Sequence, residues 1–236
     1  MQQTMGYMRR AIEDYKMVES GDKIALAISG GKDSVAMLAG FAGLRRVLKA
    51  DFSLMAFTLD PCFGGVETDY SAILALAREL DVPYIIKRTD IGPIVFDERQ
   101  EKNPCSLCAR MRRGALHDLC NLHGCNKLAL GHHMDDAIET FFMNIFNEGR
   151  IGCFSPVTYM SRKDIHIIRP MVYLSERQII GVVNKLSLPV VKSICPNDGI
   201  SRREWTKAFI RGMEREDRGF RDRVFGALKR SGIDGW

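Results

Sequence analysis

The chain has 236 residues, of which 46% are hydrophobic and 27% charged, with a net charge of +5. That composition excludes a chain too polar to bury a core, and the length suits one domain of ordinary size with at most a small appendage. No apolar stretch approaches the roughly 18 residues that span a bilayer, and Met1 to Arg10 show no hydrophobic run behind a charged start, so a soluble cytoplasmic protein without a membrane partner is expected.

In chain order, residues 5–18 read as a helix ending at Gly21, residues 23–28 as a strand buried on both faces, and residues 35–49 as a helix. A strand at 52–59, a helix at 66–80 and a strand at 83–87 continue the β-α-β rhythm. A helix over 106–123 leads to a strand at 127–130. A helix over 135–147 follows, with Ile138, Phe141, Phe142 and Ile145 on one face. A strand at 165–169, a helix at 176–186, a strand at 188–192 and a basic helical segment beyond Arg202 complete the pattern. Alternation of this kind predicts an α/β fold with a largely parallel sheet.

Between the first strand and the second helix stands Ser29-Gly-Gly-Lys-Asp-Ser34. A strand that ends in two glycines before a helix brings backbone N–H groups and the positive helix end to one point, where an anionic oxygen cluster binds. Gly30 and Gly31 permit close approach, Lys32 adds a point charge, and Ser29 and Ser34 add hydroxyl donors. The plain alternative is a tight turn capped by Ser29. Ala27 stands where the Walker pattern needs its first glycine, and the third glycine of the dinucleotide fingerprint is missing.

In open α/β sheets ligands sit beyond the carboxyl ends of strands. Asp60 closes a strand there and reads either as a ribose or adenine contact or as a turn-forming residue before Pro61. Leu130-Gly-His-His-Met-Asp-Asp136 places two carboxylates at a helix start. They either stabilise that terminus or face a bound triphosphate, where a carboxylate holds Mg²⁺ or positions a nucleophile. Asp135 is the first candidate and Asp136 the second. Arg169, before Pro170, is either a phosphate contact or a surface residue.

Seven cysteines in a chain without a secretory signal argue for reduced thiols rather than a disulfide framework. Cys105 and Cys108 stand at metal-binding spacing at the start of a basic helix, a pattern shared by redox pairs, zinc sites and iron–sulfur sites. A single zinc shared with Cys120 and Cys125 is disfavoured, because a continuous helix from Cys108 to Cys120 spans about 18 Å at ~1.5 Å per residue. Cys62, Cys120, Cys125 and Cys153 read as small core residues. Charge is uneven too: residues 201–236 hold ten Lys or Arg against six acids, which suits a nucleic-acid backbone or a solvated face.

Ser29 to Ser34 resembles the PP-loop of the ATP pyrophosphatases, and Gly131-His-His-Met-Asp-Asp136 and Arg169-Pro170 resemble further elements of that superfamily. The resemblance implies a five-stranded parallel sheet of the adenine-nucleotide α-hydrolase type, spanning residues 1–200 with 201–236 as a basic tail. It also implies an enzyme that cuts ATP between its α and β phosphates. Ser29, Gly30, Gly31, Lys32, Asp33, Ser34, Asp60, Gly131 and Arg169 would hold ATP and Mg²⁺, with Asp135, Lys32 and Asp136 in the chemistry.

Pro104-Cys-Ser-Leu-Cys-Ala-Arg-Met-Arg-Arg-Gly114 is similar to the cysteine helix of the tRNA 2-thiocytidine synthetases. That branch implies a [4Fe–4S] cluster on Cys105, Cys108 and Cys195, with tRNA and a sulfur donor, sulfide or a cysteine desulfurase system, as partners and a homodimer as one possible assembly. Arg110, Arg112, Arg113, Arg202, Arg203, Lys207 and Arg211 are then candidate RNA contacts, or else solvated side chains. A different acceptor or nucleophile, such as an amine, and a nucleotide-binding sensor on the same fold are the rival functions.

Overall fold

The computed structural model describes residues 1–99, 104–197 and 202–236, the last beginning with the backbone of Arg202, whose side chain lies outside the described part. Its sheet has six strands rather than five. The order is β3 (Tyr84–Arg88), β2 (Ser53–Asp60), β1 (Lys23–Ala27), β4 (Lys127–Ala129), β6 (Ile165–Ile168), β5 (Val157–Met160). Neighbours pair in parallel except β5, which runs antiparallel to β6 at the edge. A four-residue edge strand with no fully buried side chain gives little signal in sequence.

β1 lies between β2 and β4, and the apolar run Ile24, Ala25, Leu26 is fully buried there. From β1 the chain builds outward through β2 to β3 and then returns to lay β4 on the other side of β1. The loops after β1 and β4 therefore open toward each other at the switch in strand order, where open sheets bind ligands.

Around the sheet stand α1 (Gln2–Asp14), α2 (Lys32–Leu44), α3 (Ser71–Glu79), a short α4 (Ile91–Pro93), α5 (Pro104–Leu122), α6 (Met134–Glu148) and α7 (Glu176–Lys185). α2 is buried along nearly its whole length, as its Val-Ala-Met-Leu-Ala run requires. The helix expected from residue 66 begins at Ser71, because Cys62, Gly64 and Gly65 take left-handed conformations and Thr68 N–H is drawn back to Asp60.

No strand forms at 188–192. Both edges of β1 are already taken, and the segment instead crosses the glycine loop, with Val191 N–H donating to Gly30 O at 3.0 Å. The last two helices, α8 (Arg202–Glu216) and α9 (Phe220–Ser231), are built into the main core. Ile210, Phe225, Leu228 and Trp236 are buried in it, and Trp236 Nε1–H donates to Phe154 O at 2.7 Å. Among the described residues no helix is long and apolar enough to cross a membrane.

Candidate functional site

Ser29 to Ser34 turn directly from β1 into α2. The Ser34 hydroxyl donates to Gly31 O at 2.8 Å and, with Ser29 Oγ, accepts the Ser29 and Gly31 N–H groups, which fixes the turn. No side chain caps α2, whereas α6 and α7 both carry reciprocal capping boxes, His133 with Asp136 and Ser175 with Gln178. The first N–H groups of α2 are thus left to an incoming anion.

Gly30 adopts a φ of +89°, and a β-carbon there would stand 3.1 Å from Val191 Cβ and 3.2 Å from the Tyr70 ring. Gly131, after β4, packs so closely that a β-carbon would lie 3.3 Å from the backbone of Asp33 and Ser34. Glycine at 131 is what lets the β4–α6 loop close on the phosphate loop.

A cavity of about 590 Å³ opens above this junction, lined among others by Ser29, Asp33, Ser34, Arg112, His132, Asp136 and Arg169. Arg169 is 8% exposed, donates to His132 Nδ1, Thr158 Oγ1 and Ser155 O, and lies 5.0 Å from the Phe154 ring centre. Burial lowers its pKa to about 10, and Arg113 adds to the effect. Burial, with Arg169 beside it, also keeps the His132 imidazole well below its usual range and hence neutral.

The two adjacent aspartates part company. Asp136 reaches the cavity wall, accepts His133 N–H at 3.0 Å and pairs with Arg203 Nη1 at 2.9 Å. Asp135 does not line that cavity: it accepts Glu176 N–H at 2.7 Å and pairs with Arg221 Nη1 at 2.8 Å. Of the two, Asp136 is the one that lines this cavity.

Lys32 lines neither large cavity; its Nζ lies 3.1 Å from Asp33 Oδ2 and 3.0 Å from Glu176 Oε1. Partial burial disfavours its charge, but the two carboxylates outweigh this and raise its pKa. Asp33 Oδ1 is buried without a hydrogen bond, with His133 Nε2 at 3.7 Å. Asp60 is fully buried, and its carboxylate holds Thr68 N–H, Cys62 N–H and Arg88, so it fastens the 60–68 turn rather than facing the cavity.

A second cavity of about 390 Å³ adjoins the first and is lined by Cys105, Cys108 and Cys195 together with Tyr70, Lys192 and Ser193. Ser29, Leu59, Ala109 and Arg112 line both. Burial raises the Cys108 pKa, Arg112 opposes it, and the neighbouring Cys195 and Cys105 add to the rise. Among the described residues no three His, Cys, Asp or Glu side chains are gathered closely enough to hold one metal ion, so the thiols share a cavity without forming a closed ligand set. Three thiols with no competing carboxylate suit a soft metal or an iron–sulfur centre. Cys120, Cys125 and Cys153 are buried core residues, and Cys62 is half-buried at a left-handed turn.

Residues 5–199 match the model of the PP-loop domain family. The chain is 38% identical to a tRNA-cytidine(32) 2-sulfurtransferase of Geobacter metallireducens, over 88% of this chain and 81% of that protein. It is 35% identical to the one of Ralstonia nicotianae, over 93% and 70%. This chain belongs to the PP-loop family, on the branch of the tRNA sulfurtransferases. It is an enzyme. Its fold is similar to that of the U34-tRNA thiolase NcsA from Methanococcus maripaludis with its [4Fe-4S] cluster, at a TM-score of 0.78 and 24% identity, over 95% of this chain and 77% of that one.

In this PP-loop enzyme, several residues at the site carry no role in the sequence reading. His133 caps α6 through Nδ1 and was visible only as part of the Gly-His-His stretch. Glu176 opens α7 inside the Ser175-Glu-Arg-Gln178 capping pattern, which announces a helix start but not its contact with Lys32. Arg203 and Lys207, candidate RNA contacts, turn inward to Asp136 and Glu139, while Arg112 and Arg113 line the larger cavity.

Proposed function

We propose that this enzyme replaces the C2 oxygen of a tRNA cytidine by sulfur at the expense of ATP. What carries the reading is the meeting of the two cavities at Ser29, Leu59, Ala109 and Arg112, one beside the phosphate loop and the other beside the three cysteines.

The triphosphate lies on the free N–H groups at the start of α2, with Lys32 beside it, and Asp33 and Asp136 would hold Mg²⁺. The C2 oxygen of the base attacks the α-phosphorus, the α–β bond breaks, and pyrophosphate leaves into the field of Lys32 and the loop N–H groups. Arg169 and Arg113 offset the negative charge on the α-phosphate that the base now carries. Hydrosulfide from the donor then attacks C2, and the C–O bond breaks to release AMP. Cys105, Cys108 and Cys195 would hold a [4Fe–4S] cluster, which would supply Lewis-acid chemistry for delivering the sulfur. Arg112, common to both cavities, faces the phosphate and the sulfur side alike.

Mass spectrometry of tRNA nucleosides from cells with and without the gene tests this. Loss of 2-thiocytidine in the deletion supports it. An unchanged profile, with pyrophosphate still released by the anaerobically purified protein on another acceptor, sinks it.

A further inference from the structure

The end of the chain reaches the residues that support the phosphate site. Arg221, at the start of α9, pairs with Asp135 at 2.8 Å; the other oxygen of Asp135 accepts Glu176 N–H at 2.7 Å; and Glu176 Oε1 holds Lys32 Nζ at 3.0 Å. Two ion pairs, joined by one backbone hydrogen bond, thus link the last long helix to the phosphate loop. Asp135 is 5% exposed, so its charge demands the partners it has.

We propose that Arg221 is a positioning residue of the ATP site, acting through Asp135 and Glu176 on Lys32. The inference rests on the reading of Ser29 to Ser34 as a phosphate site, not on the identity of the acceptor. A free lysine carries about 2 kcal/mol of rotamer entropy. Lys32 is spared part of that cost because Glu176 holds its tip beside the loop. Glu176 can do so only while α7 starts where it does, and Asp135 fixes that start. Asp135 in turn is oriented by Arg221, whose own backbone N–H donates to Glu214 Oε2 at 2.9 Å, anchoring it to the end of α8. α8 and α9 therefore complete the site that the first 200 residues begin.

The test is calorimetric titration of the full chain with Mg²⁺ and α,β-methylene-ATP, which needs neither tRNA nor turnover. Arg221→Gln and Glu176→Gln are expected to raise Kd about fivefold each, and Arg221→Lys to retain most of the affinity. In a Lys32→Ala background the same substitutions should add nothing. A merely structural role lowers the binding stoichiometry, the fraction of folded protein, and leaves Kd alone. Unchanged Kd values, or effects that multiply in the Lys32→Ala background, overturn the proposal; so does a wild-type chain that binds no nucleotide. A chain that binds ATP through this relay yet leaves tRNA unthiolated would keep the relay and reject the proposed function.

Discussion

Asp135 accepts the backbone N–H of Glu176 at 2.7 Å, tying the start of α7 to the start of α6, while its neighbour Asp136 turns to the cavity wall. The two carboxylates should fail differently. Asp135→Asn strips the charge from a buried pair with Arg221 and should cost about 1–3 kcal/mol of stability, read by urea unfolding. Asp136→Asn, whose partner Arg203 is partly exposed, should cost less than about 1 kcal/mol but lower pyrophosphate release at least tenfold. Equal losses of stability in both variants would contradict this division.

The parallel strands and the helices α1 to α3 and α5 to α7 follow from apolar periodicity, whereas the short α4 does not, and the anion loop follows from the glycines that let a strand turn into a helix. Contacts between distant segments were not legible. Residues 188–192 look like a strand because Val190 and Val191 are β-formers, but a strand needs a free edge and β1 has none. Arg203 and Arg221 sit in a basic segment whose composition suggests solvent or RNA. Only the packing of Ile210, Phe225 and Leu228 into the core turns those two arginines toward Asp136 and Asp135. Asp60 closes a strand as an active-site carboxylate does, and nothing local reveals that Thr68 and Arg88 occupy it.

Gly30→Ala should weaken nucleotide binding. The residue's φ of +89° is unfavourable for an L side chain, and the new methyl meets Val191 and Tyr70 near 3.1 Å, where the 188–192 segment crosses the loop. We expect a stability loss of about 1–3 kcal/mol and at least a tenfold loss of ATP affinity. Gly114→Ala, where a β-carbon meets nothing within 4 Å, is the control and should leave affinity intact. Comparable binding by the two variants would remove Gly30 from the site.

The cysteines should separate the two halves of the reaction. Cys108→Ala and Cys195→Ala remove thiols from the second cavity and leave the phosphate loop untouched. Iron content and thiolation should fall together while pyrophosphate release with tRNA persists. Cys120→Ala and Cys153→Ala, in the core, should cost about 1–2 kcal/mol of stability and keep both activities. Thiolation by iron-free Cys195→Ala protein would refute the assignment of the three thiols.

Glu139 gives a pH signature. It is 3% exposed on α6, and burial raises its pKa from 4.5 to about 7, against the pull of Lys207 and Arg203 and with Asp136 and Asp135 adding to the rise. A carboxyl that holds its proton more tightly in the folded chain than in the unfolded one contributes stability below about pH 4.5, and that contribution is lost as pH climbs through about 7. The neutral Glu139→Gln variant lacks the effect. The stability of the wild type relative to Glu139→Gln should therefore drop by about 2–3 kcal/mol between pH 4.5 and pH 8, measured by urea unfolding at both values. A difference that does not change with pH would mean that Lys207 and Arg203 keep Glu139 ionised throughout, and that α8 binds α6 through a charged rather than a protonated contact.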